Sequence, residues 1–100
     1  MKLRIQSINF DATEKLEAYI DKKSKKLEKF FDEIKTVDVY LKVTKPESAA
    51  NKQAEIKVTA PNAEFFASKT CDTFEEAVDL GLEAIEKQVM KYKEKLMVKK

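Results

Sequence analysis

Apolar residues along this chain recur with two different periods, and the changes of period mark its elements. Leu3, Ile5 and Ser7 alternate with Lys2, Arg4 and Gln6, the two-residue repeat of a half-buried strand. Ile8, Asn9 and Phe10 lead out of it. Asp11 and Thr13 are candidate helix caps, and Glu14 and Glu17 suit a first turn. The spacing then widens to three or four. Leu16, Ile20, Leu27, Phe31 and Ile34, with Tyr19 and Phe30 beside them, predict a helix over about residues 13–31. Alternation returns over residues 36–43, where Val37, Val39, Leu41 and Val43 face inward and Asp38, Tyr40 and Lys42 outward. Residues 45–52 form a polar connection, expected to be a mobile hairpin loop. Ala54, Ile56 and Val58 against Glu55, Lys57 and Thr59 give a third strand. Ala60-Pro61-Asn62-Ala63 is turn chemistry. Residues 64–70 give a fourth strand, with Phe65 and Ala67 toward the core and Phe66 and Ser68 away from it.

The last third opens on Asp72-Thr73-Phe74-Glu75-Glu76, where Thr73 caps a helix and Glu76 completes a capping box. Phe74, Ala77, Val78, Gly81, Ile85, Val89, Tyr92 and Leu96 then fall on one stripe of a helix long enough to cross a small sheet. The order is β-α-β-β-β-α, an α+β fold. A first connection that contains a helix permits strands one and two to be parallel, with a right-handed crossover. Short links make strands two to four an antiparallel meander. Each strand carries one apolar row, so both helices cover one face of a four-stranded mixed sheet and the other face stays open and polar. The α-β-β-β-α core is double-stranded-RNA-binding-domain-like. The single glycine, Gly81, sits inside the second helix, where it costs about 1 kcal/mol relative to alanine. Close packing on the sheet is the expected reason.

Composition narrows the chemistry. One hundred residues suit one core, with no internal repeat, and 43% hydrophobic with 38% charged residues describe an ordinary folded protein. No run approaches the ~20 apolar residues of a membrane span, and the N-terminus lacks the apolar stretch of a signal peptide, so a cytoplasmic protein with no membrane partner is expected. One cysteine, Cys71, permits no internal disulfide and reads as a small packing residue at a strand–helix junction. Histidine is absent, which removes the commonest general base and most zinc sites. No glycine-rich loop is present to cradle a nucleotide. Glu75 and Glu76 are adjacent carboxylates on a polar helix face. The expectation is no enzyme, no catalytic residues, no cofactor and no metal.

Net charge is only +2, so affinity for a polyanion depends on where the charges sit. On the first helix Lys15, Lys22, Lys26 and Lys29 share one flank, while Glu14, Glu17, Asp21, Glu28 and Asp32 share the other, with Lys25 between. A helix laced for solubility tends to mix the signs through i,i+4 pairs. The run Lys22-Lys23-Ser24-Lys25-Lys26 also stacks like charges, which an anionic partner explains. On the second helix Asp72, Glu75, Glu76, Asp79, Glu83 and Glu86 come first, and Lys87, Lys91, Lys93, Lys95, Lys99 and Lys100 follow, with Glu94 among them. The macrodipole accounts for such an order only within the first and last turn.

Four stretches, in this order and spacing, resemble the ribosome hibernation promoting factor family, also known as ribosome-associated inhibitors or ribosomal subunit interface proteins. They are Leu16 to Lys23 with Lys26 to Phe31, Val37-Asp38-Val39-Tyr40-Leu41, Glu64-Phe65-Phe66-Ala67-Ser68, and Asp72 to Asp79 running on into Ile85 to Val89 and Lys91-Tyr92-Lys93. The resemblance covers nearly all of residues 1–95, expected to be one ribosome-binding domain, with 96–100 a basic tail. It implies a non-catalytic protein, monomeric when free, that binds the small ribosomal subunit and intact ribosomes. There it would meet ribosomal RNA in the decoding region and block messenger and transfer RNA. Matching positions imply RNA-binding roles for Lys22, Lys23 and Lys26 and for Lys87, Lys91 and Lys93. Lys23 also borders the apolar stripe, where its stem is expected to be buried with the ammonium reaching out. The second helix is more acidic in its middle, at Glu83 and Glu86, than many members of the family it resembles, which limits the extent of its basic face. The resemblance is to the short form of the family, so a protein without the added dimerisation domain of long members is expected. The alternatives are a generic double-stranded RNA-binding module, or a protein-interaction domain using the open sheet face and Tyr40.

Overall fold

The computed structural model describes residues 1–8, 10–44 and 50–98, the side chains of 96–98 excepted. It contains β1 (Lys2–Ile8), α1 (Glu14–Phe30), β2 (Thr36–Val43), β3 (Lys52–Ala60), β4 (Ala63–Cys71) and α2 (Phe74–Val98). The strands lie side by side in chain order, β1 parallel to β2 and the rest antiparallel. The expected β-α-β-β-β-α mixed sheet is therefore observed.

Register explains which face is buried. Leu3, Val37, Val58 and Phe65 form one cross-strand row, and Ile5, Val39, Ile56 and Ala67 the next. Both rows point toward the helices, where Leu16, Ile20 and Leu27 of α1 and Val78, Ile85 and Val89 of α2 complete the core. On the other face Arg4, Asp38, Lys57 and Phe66 make a row. Arg4 Nε donates to Asp38 Oδ1 at 2.7 Å, which lets the Asp38 carboxylate sit almost buried on the polar side.

The helices run in the same direction, because Tyr19 of α1 meets Asp79 of α2 and, further along both, Phe30 meets Lys93. Aromatic contacts hold both ends of the layer. Phe10 stacks on Phe74 with centroids 4.8 Å apart near the helix starts. Phe31, Phe65 and Tyr92 meet edge to face at 5.7–6.2 Å near the end of α1. The outer edge of β4 is covered by Gln88 of α2, whose amide accepts from the Phe66 N–H at 3.3 Å and donates to the Phe66 carbonyl at 2.7 Å. That side chain satisfies edge groups otherwise open to a foreign strand.

Some expectations needed correction. The hairpin between β2 and β3 closes earlier than expected: Thr44 N–H donates to the Asn51 carbonyl at 2.9 Å, Asn51 is buried, and Lys52 already belongs to β3. Residues 45–49 of the expected mobile loop, and Lys99 and Lys100, lie outside the described residues. The apolar stripe of α2 also includes Leu82, which the periodic reading passed over, while the side chain of Leu96 is not among those described. Ser24, read only as part of a lysine run, is wholly buried. It stands four residues after Ile20 and three before Leu27, on the core side of α1.

Candidate nucleic-acid interface

Both helices start on threonine caps and carry their bases late. Thr13 Oγ1 accepts from the Leu16 N–H and Thr73 Oγ1 from the Glu76 N–H, each at 3.1 Å. These bonds satisfy otherwise orphaned donors at each first turn. Because α1 and α2 lie parallel, their acidic beginnings share one end of the molecule and their basic ends share the other.

The seam between the helices is charged in a complementary way. Tyr19 donates its hydroxyl proton to Asp79 Oδ2 at 2.6 Å. That bond, helped by burial, pushes the Tyr19 phenol up to about 12. Lys23 Nζ lies 3.7 Å from Asp79 Oδ1 and 5.4 Å from the centre of the Tyr19 ring. Its stem is largely covered, as expected for a lysine bordering the stripe. A cleft of about 350 Å³ follows, walled by Lys23 and Lys26 from α1 and by Asp79, Leu82, Glu83 and Glu86 from α2. Charge segregation on α1 therefore has a partial cause inside the molecule: Lys26 of its basic flank, with Lys23 beside it, shares a cleft with carboxylates of α2.

The six sequence-predicted residues divide by position. Lys22 and Lys26 are exposed and border a second groove, of about 360 Å³, with Asp21, Lys25 and Lys29. Lys87 and Lys91 are exposed one turn apart on α2, and Lys87 Nζ stands 4.0 Å from Glu83 Oε1. Lys23 turns into the seam. Lys93 projects about 120° around α2 from Lys87. Its Nζ donates to the Phe30 carbonyl at 3.2 Å and sits 5.1 Å from the Phe30 ring centre. A cation there offsets the negative end of the α1 dipole. The structure thus brings Lys22 and Lys26 together, and Lys87 with Lys91, but Glu83 and Glu86 lie between the two sets. Lys25 and Lys29 complete the α1 patch: the sequence placed Lys29 on the basic flank and Lys25 in the lysine run, without an RNA-binding role for either. Their spacing from Lys22 and Lys26, three or four residues, is the signal that groups them.

Other chemistry is sparse. Burial pushes the Cys71 thiol up, which makes it a poor nucleophile. Among the described residues no cluster of ligating side chains is arranged to hold a metal ion. Among those residues, too, no helix is long and apolar enough to cross a membrane.

A mixed four-stranded sheet under two parallel helices, lysine-rich toward their C-terminal ends, defines a small α+β protein with two basic patches on its helical face. The family model described as Sigma 54 modulation protein / S30EA ribosomal protein matches residues 3–97, and the chain belongs to that family. It is 35% identical over 102 residues to a ribosome hibernation promotion factor of Picosynechococcus sp., covering 100% of this chain and 53% of that one. It is 30% identical over 95 residues to a ribosome hibernation promoting factor of Azotobacter vinelandii, covering 95% and 85%. A third relative, from Lactococcus lactis, is 29% identical, and the chain spans about half the length of it and of the Picosynechococcus protein. Two solved structures share the fold. A ribosomal subunit interface protein from Coxiella burnetii superposes with a TM-score of 0.82 at 22% identity, over 93% of this chain and 98% of that one. The Protein Y N-terminal domain of Thermus thermophilus gives 0.78 at 22%, over 92% and 99%. The resemblance to hibernation promoting factors read from the sequence is borne out.

Proposed function

We propose that this chain is a ribosome-associated hibernation factor. In this reading it binds ribosomal RNA of the small subunit in the decoding region and silences translation by occupying the path of messenger and transfer RNA. Family membership over residues 3–97 carries the reading. The parallel helices supply its physical means: Lys22 and Lys26 on α1 and Lys87 and Lys91 on α2 are exposed cations, suited to phosphate oxygens. Lys23 and Lys93 support the interface from within, by fixing the seam and the end of α1.

The mechanism is competition between a folded protein and nucleic-acid ligands for one site, with no covalent step. Intact ribosomes and small subunits are the partners, and the free protein is a monomer in the cytoplasm. The test is a displacement assay: initiator transfer RNA or messenger in excess is added to preformed complexes of the chain with small subunits. Release in proportion to ligand occupancy is expected. Full inhibition of translation with transfer-RNA binding untouched would overturn the mechanism.

A further inference from the structure

The cleft between the helices is lined by opposite charges, Lys23 and Lys26 on its α1 wall and Asp79, Glu83 and Glu86 on its α2 wall. We infer that Glu83 and Glu86 keep RNA phosphates out of this cleft, so that the chain offers two separate phosphate tracks instead of one continuous basic face. The inference deepens the proposed function and rests on RNA being the partner.

Geometry supplies the reason. Lys23 and Lys26 form one wall of the cleft, and without opposing acids they would draw a phosphate between the helices. Asp79 already stands 3.7 Å from Lys23 Nζ and is itself held by the Tyr19 hydroxyl at 2.6 Å. Glu83 borders both regions, since it walls the cleft and its Oε1 is 4.0 Å from Lys87 Nζ. A phosphate entering the cleft would lie close to carboxylates as well as ammonium groups. A phosphate on the outer groove of α1 meets Lys22, Lys25, Lys26 and Lys29 against Asp21, the one carboxylate among its described lining residues, which pairs with Lys25 at 3.2 Å. One on the exposed surface of α2 meets Lys87 and Lys91, with Glu83 4.0 Å from Lys87 Nζ at its border. The acids are therefore specificity-determining: they favour an RNA surface whose phosphates lie in two lines flanking a gap, and weaken attachment of a single backbone along the seam.

Isosteric amides test this without removing packing. Glu83→Gln with Glu86→Gln raises net charge by two, and so does Glu14→Gln with Glu17→Gln in the first turn of α1. Each double variant is titrated, by fluorescence anisotropy at several salt concentrations, against a short A-form RNA duplex of generic sequence, with thermal melts confirming the fold. A unit charge about 7 Å from a phosphate changes affinity roughly threefold in water. The cleft variant should bind about three- to tenfold tighter than wild type, with a salt slope steeper by up to about 0.9 as one more phosphate is engaged. The control should change less than about twofold. Equal gains for the two variants would reduce the effect to net charge and overturn the inference, as would no gain from the cleft variant. Failure of the wild-type chain to sediment with ribosomes would strike the proposed function instead, because the duplex comparison still reads the cleft.

Discussion

Gly81 lies where α2 crosses β3, and replacing it by alanine tests how closely the helix rests on the sheet. A methyl group there would stand 2.7 Å from Ile56 Cδ1 and 3.6 Å from Ile56 Cγ1. The shorter distance is about 1 Å inside ordinary carbon–carbon contact. Ile56 is fully buried, so its Cδ1 has to move against packed neighbours. Two effects oppose each other. Alanine gains about 1 kcal/mol of helix propensity over glycine, whereas overpacking a filled core costs about 1–3 kcal/mol. Gly81→Ala should therefore destabilise the protein by about 0–2 kcal/mol. Ile56→Val removes Cδ1 and alone should cost about 0.5–1.5 kcal/mol. In that background the new methyl enters the vacated volume, and Gly81→Ala should stabilise by about 1 kcal/mol. Wild type, the two single variants and the double variant form a cycle with a coupling of about 1–3 kcal/mol. Urea unfolding followed by circular dichroism measures each corner, with the denaturant slope unchanged across the set. Additivity within about 0.5 kcal/mol, or a full 1 kcal/mol gain from Gly81→Ala alone, would refute a close approach at this point.

Three further outcomes follow from the seam and the core. The Tyr19 phenol, raised to about 12 by its bond to Asp79, stabilises the fold fully below the ordinary tyrosine value near 10 and loses that contribution as pH rises through about 12. Phenolate absorbance should accordingly lose its highest-pH step in Tyr19→Phe, and loss of a step near pH 10 instead would contradict the assignment. Ser24 Oγ is buried without a hydrogen-bond partner among the described residues, so Ser24→Ala should raise stability by about 1 kcal/mol in urea melts, and a loss of that size would show the hydroxyl to be bonded. Lys87→Gln with Lys91→Gln should leave the melt unchanged and flatten the salt dependence of ribosome binding, whereas Lys93→Gln should cost about 0.5–1 kcal/mol at the end of α1 with less effect on the slope. The opposite pattern would put Lys93 on the RNA.

The element order was legible because periods of two and about 3.6 are local properties. Leu16, Ile20 and Leu27, or Val37, Val39 and Leu41, declare a buried face without knowledge of what covers it. Thr13 and Thr73 were legible as caps for the same reason. Ser24 was hidden by its chemistry: polar and surrounded by lysines, it still occupies a stripe position where a small side chain fits. Leu82 was hidden by its neighbour Gly81, since either completes the three- or four-residue step. The directions of Lys23 and Lys93 were beyond a single-helix reading, because they depend on how α1 and α2 abut. The charge segregation of α1 pointed to an anionic partner, and part of that partner is α2 itself, through Asp79, Glu83 and Glu86. The close approach at Gly81 was anticipated from glycine's cost in a helix, but its partner, Ile56, required the register of β3 under α2.

Attachment to the small ribosomal subunit through exposed lysines, the proposed function, is read directly by sucrose-gradient sedimentation. The purified chain is mixed with intact ribosomes, separated small subunits and separated large subunits, and each gradient is run at low and at raised salt. Co-migration with small subunits and intact ribosomes, absent from large subunits alone and weakened progressively by salt, is the predicted result. A chain that stays at the top of the small-subunit gradient at low salt, or that travels equally with both subunits, would contradict it.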